Sequence, residues 1–236
     1  MAHIENIQDV FKTIFEILDD DGVFIMEVGY FYEMFRTKQF DVIYHEHIDY
    51  HTCTAMNGFA KKNKLYLFHV VENNIQGGSV QFFFSKNKDI TIHNSVNTKL
   101  QQEGIIELFN DNLLNKWQYS IKQTSNDLNH IINSFVNAGK KIAGYGASAK
   151  STTLLHQLKL SCHTLQYIID DNPYKQNHYS PGLNIPIQPF ETLLINKVDY
   201  IIILSCNFIE EIILKLDMYR KTGLRIIIPF PEIRII

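Results

Sequence analysis

The sequence predicts an α/β protein, and three observations carry that prediction. From residue 141 onward, short continuous apolar runs alternate with segments whose apolar residues recur every three to four positions. The runs are apolar at successive positions, as strands covered by helices on both faces must be. A glycine-bearing stretch, Gly144-Tyr145-Gly146-Ala147-Ser148-Ala149-Lys150, joins the first run to the first helical segment. Together these predict a Rossmann-like parallel sheet flanked by helices.

The elements follow in order. Ile7, Val10, Phe11, Ile14, Phe15 and Leu18 have helical spacing, and the segment ends at Asp19-Asp20-Asp21-Gly22. Residues 23–28 read as a strand for which nothing upstream supplies a neighbour, so unpaired edges and an apolar face are expected there, favouring association. A short helix capped by Thr54 and strands over 65–71 and 79–85 come next, the strands separated by Gln76-Gly77-Gly78. Ile106, Phe109, Leu113, Trp117, Ile121, Leu128, Ile131 and Phe135 predict one long helix or a helical pair with longer gaps near Thr124. Strands are then predicted over 141–145, 165–170, 184–187, 200–204 and 225–229, and helices over 149–158, 190–195 and 208–219.

Composition narrows the function classes. Hydrophobic residues make up 45% and charged residues 20%, with a net charge of -3, so nothing electrostatic favours a nucleic acid or an anionic membrane partner. No apolar stretch has the roughly 20 residues that span a bilayer. Cys53, Cys162 and Cys206 form no CxxC pair, which signals neither a disulfide framework nor a thiolate zinc site and fits a reducing, cytoplasmic location.

The densest reactive cluster is Tyr44-His45-Glu46-His47, followed by Asp49, Tyr50 and His51. Imidazoles supply a general base with near-neutral pKa, and the carboxylate and phenols can orient it. The alternatives are a polar loop whose histidines pair with backbone, and, last, a metal site through His45 and His47; spacing of two suits opposite faces of a strand better than one ion. The second cluster is the 144–150 turn, where Gly144 and Gly146 let backbone approach a ligand and the helix start favours a phosphate. Ala149 replaces the third glycine of a dinucleotide fingerprint, and a ligand-free strand-to-helix turn is the plain alternative. Lys150 adds charge to such a site or is a solvated lysine. Asp170, ending the next strand, stands where an acid often holds a ribose hydroxyl, or simply opens the Asp-Asn-Pro turn.

The stretches FDVIYHEHIDYH, QGGSVQ, AGYGASAKSTTLLH, IDDNPYKQNHYSPGLNIPI and ILSCNFIEEI resemble, in order and spacing, the C-methyltransferases that act on nucleoside-diphosphate keto-sugars. The resemblance implies a zinc-binding head, a central class I methyltransferase domain and a C-terminal domain. It implies that this chain holds the later part, with residues 1–96 a remnant of the methyltransferase domain, 97–137 a connecting helix or helical pair and 138–236 a Rossmann-like substrate domain. The zinc head and the glycine loop for S-adenosylmethionine are expected to be missing, so no zinc is expected here.

By resemblance His47 is the base that removes the proton beside the sugar ketone, Glu46 orients it and Tyr44 hydrogen-bonds the sugar or the enolate. His45, Tyr50, Gly77, Gly78, Ser79, Gly144, Tyr145, Gly146, Lys150 and Asp170 are the implied substrate contacts. Ala2 and His3 are the residues nearest the methyl donor. The implied substrate is a nucleoside-diphosphate sugar, with thymidine the expected base, and the implied partners are a second copy or a complementing upstream polypeptide. Departures from the pattern are Gln76 for a histidine, Gln81 for an arginine, Ser151 for a glycine and His156 for an asparagine. Two other functions fit the residues: a non-catalytic sugar-nucleotide-binding module, and a nicotinamide-dependent oxidoreductase resting on the glycine turn and Asp170.

Overall fold

The computed structural model describes residues 1–236, apart from the side chain of Gln76. The chain forms two units, Met1–Thr37 with His45–Trp117, and Lys38–Tyr44 with Gln118–Ile236. Among the described residues no helix is long and apolar enough to cross a membrane.

In the first unit α1 (Ile7–Ile17) begins at Asn6, whose side chain accepts the Asp9 N–H. It buries Phe11, whose ring lies 5.6, 5.0 and 5.4 Å from those of Phe24, Phe59 and Phe84. Strands β1 (Phe24–Gly29), β2 (Tyr66–Asn73) and β3 (Ser79–Ser85) make an antiparallel sheet in the order β1-β3-β2. The first strand finds one partner, from downstream, with Met26 opposite Phe82 and Val28 opposite Val80; it stands at the edge of the sheet, so the expected unpaired edge is corrected on one side only. Val80, Phe82 and Phe84 alternate onto the core side of β3, and Met26 and Val28 of β1 share that packed face, while Ile25 on the other face is exposed.

Helices α2 (Phe31–Arg36) and α3 (Cys53–Lys62) flank the histidine-rich loop. The cap of α3 is Thr52, whose hydroxyl accepts the Ala55 N–H at 3.1 Å. Thr54, expected to be the cap, lies in the first turn and gives its N–H to Glu103. The predicted long helical stretch is a pair, α4 (Asn94–Ile105) and α5 (Asp111–Asn137). Their break falls at Glu107, with a left-handed φ of 51°, and not near Thr124, which sits inside α5 with its hydroxyl on the Ser120 carbonyl.

The second unit contains β4 (Ile142–Tyr145), α6 (Ala149–Gln157), β5 (Ile168–Ile169), β6 (Ile187–Gln188), α7 (Thr192–Ile195), β7 (Tyr200–Ile203), α8 (Ile209–Arg220), β8 (Arg225–Ile228) and β9 (Arg234–Ile235). The sheet order is β6-β5-β4-β7-β8-β9, parallel up to β8, with β9 antiparallel at the edge. The strands predicted over 165–170 and 184–187 contract to two residues each; Leu165 and Asn184 give their N–H groups to turns, at Ser161 and Ser180, while Gln166, Tyr167 and Asp170 still bond to neighbouring strands.

Chain order reverses between β4 and β7, and beyond the carboxyl ends of such strands lies the usual crevice of an open α/β sheet. The segment Lys38–Tyr44 joins this unit through a 3-10 turn, Phe40–Val42, packed on α6. There Asp41 and Val42 are buried, and the Phe40 ring lies 5.0 Å from that of Phe230.

Candidate active site

The histidine-rich loop of the first unit is held from several sides. It turns at His45 and Glu46 and does not form a strand, so the two imidazoles do not lie on opposite strand faces. His45 is 88% exposed, and its Nε2 is 3.9 Å from Glu46 Oε1. His47 is half-buried, its ring 4.9 Å from that of His3 and 6.5 Å from that of Tyr50, both edge-on. The Ile48 N–H donates to the Ala2 carbonyl at 2.9 Å. Ala2 and His3 are thereby placed beside the loop, with His3 directly against the expected base. Tyr50 packs on Phe31 at 6.0 Å, and Phe31 in turn lies 6.2 Å from Trp117.

The loop ends at His51, which is buried with no hydrogen-bond partner for its Nε2. Burial lowers its pKa below the usual 6.5, with the N-terminal charge acting in the same direction and Asp49 opposing. The Phe31 N–H donates to the His51 carbonyl at 3.0 Å, and the preceding Tyr30 N–H donates to the Gly78 carbonyl at 3.2 Å. One dipeptide therefore ties the histidine loop to the Gly77-Gly78 turn. Gly78 has φ 124°, and a Cβ there would meet the Glu33 side chain at 3.0 Å, so this turn requires glycine. Ser79 is buried and its hydroxyl donates to the Ile75 carbonyl. Gln81 donates to Glu27 across the sheet at 2.6 Å, while the Gln76 side chain lies outside the described residues.

Beneath the loop is a polar network that sequence reasoning missed. The Tyr30 hydroxyl donates to Glu103 at 2.8 Å, and the same carboxylate accepts the N–H groups of Cys53 and Thr54 at 2.6 and 2.8 Å. Glu103 is 1% exposed. It satisfies two of the donors that the start of α3 leaves open. Burial and the neighbouring carboxylate push the Tyr30 hydroxyl well above the ordinary phenol range, so it stays a donor. The sequence signal was faint: a glutamate on a polar-looking helix.

In the second unit the glycines of the 144–150 turn have different jobs. Gly144 is buried in β4, where a Cβ would meet Leu204 at 2.6 Å, so close strand packing explains it. Gly146 has φ 99° and lies against Ser205, leaving no room for a side chain. Ser148 caps α6 by accepting the Ser151 N–H, and the buried Ser151 returns its hydroxyl to the Ser148 carbonyl. His156 packs against Gly182, 3.3 Å from a Cβ there.

Asp170 is turned onto the glycine turn. Its carboxylate accepts the Ala147 N–H at 2.7 Å and the Asn172 N–H at 2.9 Å, with Lys175 at 3.5 Å. The Tyr145 hydroxyl donates to Asp171, which also pairs with Lys215 at 2.6 Å; burial, then Asp171, raises the Tyr145 pKa. Lys150, in the first turn of α6, has its pKa lowered by burial, opposed by the Asp41 carboxylate and by Cys206. Asp41 is raised by burial and lowered by Lys150, and burial pushes the Cys206 thiol up to about 12.

The structure thus gathers Ala2, His3, His47, Tyr50 and, through Tyr30 and Phe31, Gly78 in the first unit. It gathers Gly144, Tyr145, Gly146, Lys150 and Asp170 in the second. Tyr44 belongs to the second unit and His45 to the first, so the division falls within the loop. Asp41 was missed because FDVI reads as an apolar run with one ordinary acid. Among the described residues no group of three or more His, Cys, Asp or Glu is arranged to hold a metal ion.

A protein-family model described as "C-methyltransferase C-terminal domain" matches residues 74–231. Over the whole chain, 28% of residues are identical to those of the C-methyltransferase NovU of Streptomyces niveus. The alignment covers 56% of that protein, so the chain spans about half the length of this curated relative.

Proposed function

Because the chain belongs to the family that carries the C-methyltransferase C-terminal domain, we propose that it is part of an S-adenosylmethionine-dependent enzyme that methylates a carbon beside the ketone of a nucleoside-diphosphate sugar. The observation that carries this reading is the setting of His47: half-buried, edge-on to His3 and Tyr50, on a loop fixed at both ends. A base that must meet a carbon acid needs a fixed ring and partial shelter from water.

In this reading His47 takes the proton from the carbon beside the ketone. The C–H electron pair becomes an enolate, and the Tyr44 hydroxyl donates to its oxygen. Glu46 orients the imidazole. His45, Tyr50, Gly77, Gly78 and Ser79 line the sugar, and Gly144, Tyr145, Gly146, Lys150 and Asp170 belong to the region that takes the nucleotide diphosphate. When bound, S-adenosylmethionine supplies the electrophilic methyl group. Ala2 and His3, held against the loop, fit the edge of a methyl-donor site and form no cradle for the rest of that molecule. The nicotinamide reading rests only on the glycine turn and Asp170, whose carboxylate also holds the Ala147 and Asn172 N–H groups.

The test isolates the proton transfer. A thymidine-diphosphate keto-sugar is incubated with the chain in D2O, and loss of the proton signal beside the ketone is followed by NMR. The wild-type chain accelerates exchange, and His47→Ala lowers that acceleration by about 10²–10⁴-fold. Equal rates for the two proteins remove His47 as the base. Tight sugar-nucleotide binding without exchange by either protein supports the binding module instead.

A further inference from the structure

The Phe40–Val42 turn contributes to the second unit a charged group that the fold of the glycine turn does not itself require. Asp41 is 5% exposed, and its carboxylate is held by the N–H groups of Asp41 itself and Val42. The turn packs on α6, whose first turn carries Lys150, and Phe40 against Phe230 fixes it from the other side. The charged partner of the Lys150 amine is Asp41, while Cys206, in the turn that follows β7, contributes a neutral thiol beside it. Nearby, Gly146 packs on Ser205, joining the turn after β4 to the turn after β7. Lys150 therefore belongs to the switch point of the sheet, where open α/β folds take anionic ligands.

We propose that Asp41 is a positioning residue for anion binding, holding the Lys150 ammonium charged and in place at the carboxyl ends of β4 and β7 for the diphosphate of a nucleotide. The inference rests on the reading that the second unit takes the diphosphate. The physical need is plain: burial favours the neutral amine, which is useless to a phosphate, and a fixed carboxylate opposes that preference. The other charged groups around the turn are already engaged, Asp170 with Lys175 and Asp171 with Lys215.

The test is calorimetric titration of the full chain with thymidine diphosphate between about pH 7.5 and 9.5, above the last phosphate ionisation, for wild type, Asp41→Asn, Asp41→Ser, Lys150→Met, Lys150→Arg and the Asp41→Asn/Lys150→Arg pair. Wild-type affinity falls as pH rises and Lys150 discharges. Asp41→Asn moves that fall to lower pH by roughly one unit, which is about a tenfold loss at the alkaline end. The double variant loses the pH dependence, because a guanidinium stays charged throughout. An Asp41→Asn profile superimposable on wild type, or a double variant as weak as Asp41→Asn, overturns the inference while leaving the diphosphate reading intact. So does failure of both Asp41 variants to fold when Lys150→Met folds, since Asp41 would then act on the fold. Lys150→Met binding thymidine diphosphate as tightly as wild type instead sinks the diphosphate reading itself.

Discussion

Glu103 in one unit and Asp170 in the other are buried carboxylates that act alike, each closing backbone N–H groups beside a candidate loop. Asp170 is local, reaching from the end of β5 to the turn after the adjoining strand β4, with Lys175 balancing its charge. Glu103 comes from fifty residues along the chain to meet a phenol and two N–H groups at the start of α3. The difference teaches where the rigidity of each loop originates. The glycine turn is latched by the end of the neighbouring strand β5, and the histidine loop by a long-range contact through Tyr30.

The comparison breaks most visibly at Glu103. Glu103→Ala strands two buried donors and the part-buried Thr54 N–H; at about 1–3 kcal/mol for each buried donor, the first unit should lose about 2–6 kcal/mol in urea unfolding. Glu103→Gln, which keeps an acceptor, should lose less than half of that. A loss below about 1 kcal/mol for the alanine variant would show that the network is ornamental. Asp170→Asn should cost about 1–2 kcal/mol and speed hydrogen exchange at the Ala147 amide, with little change around His47. Unchanged protection at Ala147 would mean the latch is elsewhere.

The smallest effect is set by pH. His51 has a folded pKa below its ordinary 6.5, so the unfolded chain binds the proton more readily. Its contribution is fully present above 6.5 and is lost as pH falls from there through the folded value. Thermal melts of the first unit should therefore show an acid-side loss that His51→Gln removes, and a variant with the same pH dependence as wild type would clear His51 of that role.

What the sequence showed and hid follows the same divide. Continuous apolar strands such as Ile201 to Leu204, next to helices of regular period, can only be a covered sheet, so the second unit was readable. The antiparallel partner of β1 was not, because strand pairing across more than fifty residues leaves no local mark. Thr52 and Thr54 are equally good caps on paper, and only the Glu103 carboxylate decides which turn starts α3. In the site, His47 and Lys150 were visible as reactive residue types. Their companions Asp41, Tyr30 and Glu103 were not, since an acid is recognised as buried only once its surroundings are known. The six-residue helix α2 escaped notice because it is too short to show a period.

The Tyr30-Phe31 pair has a mechanical consequence. Its consecutive amides grip the carbonyls of Gly78 and His51, so the two peptide planes that meet at the Tyr30 Cα set the gauge between the two loops. Lengthening or shortening either loop beyond its gripped residue changes what that loop presents and leaves the gauge untouched. The loops are thus free to vary in content while their separation is held constant, like two jaws on one hinge pin.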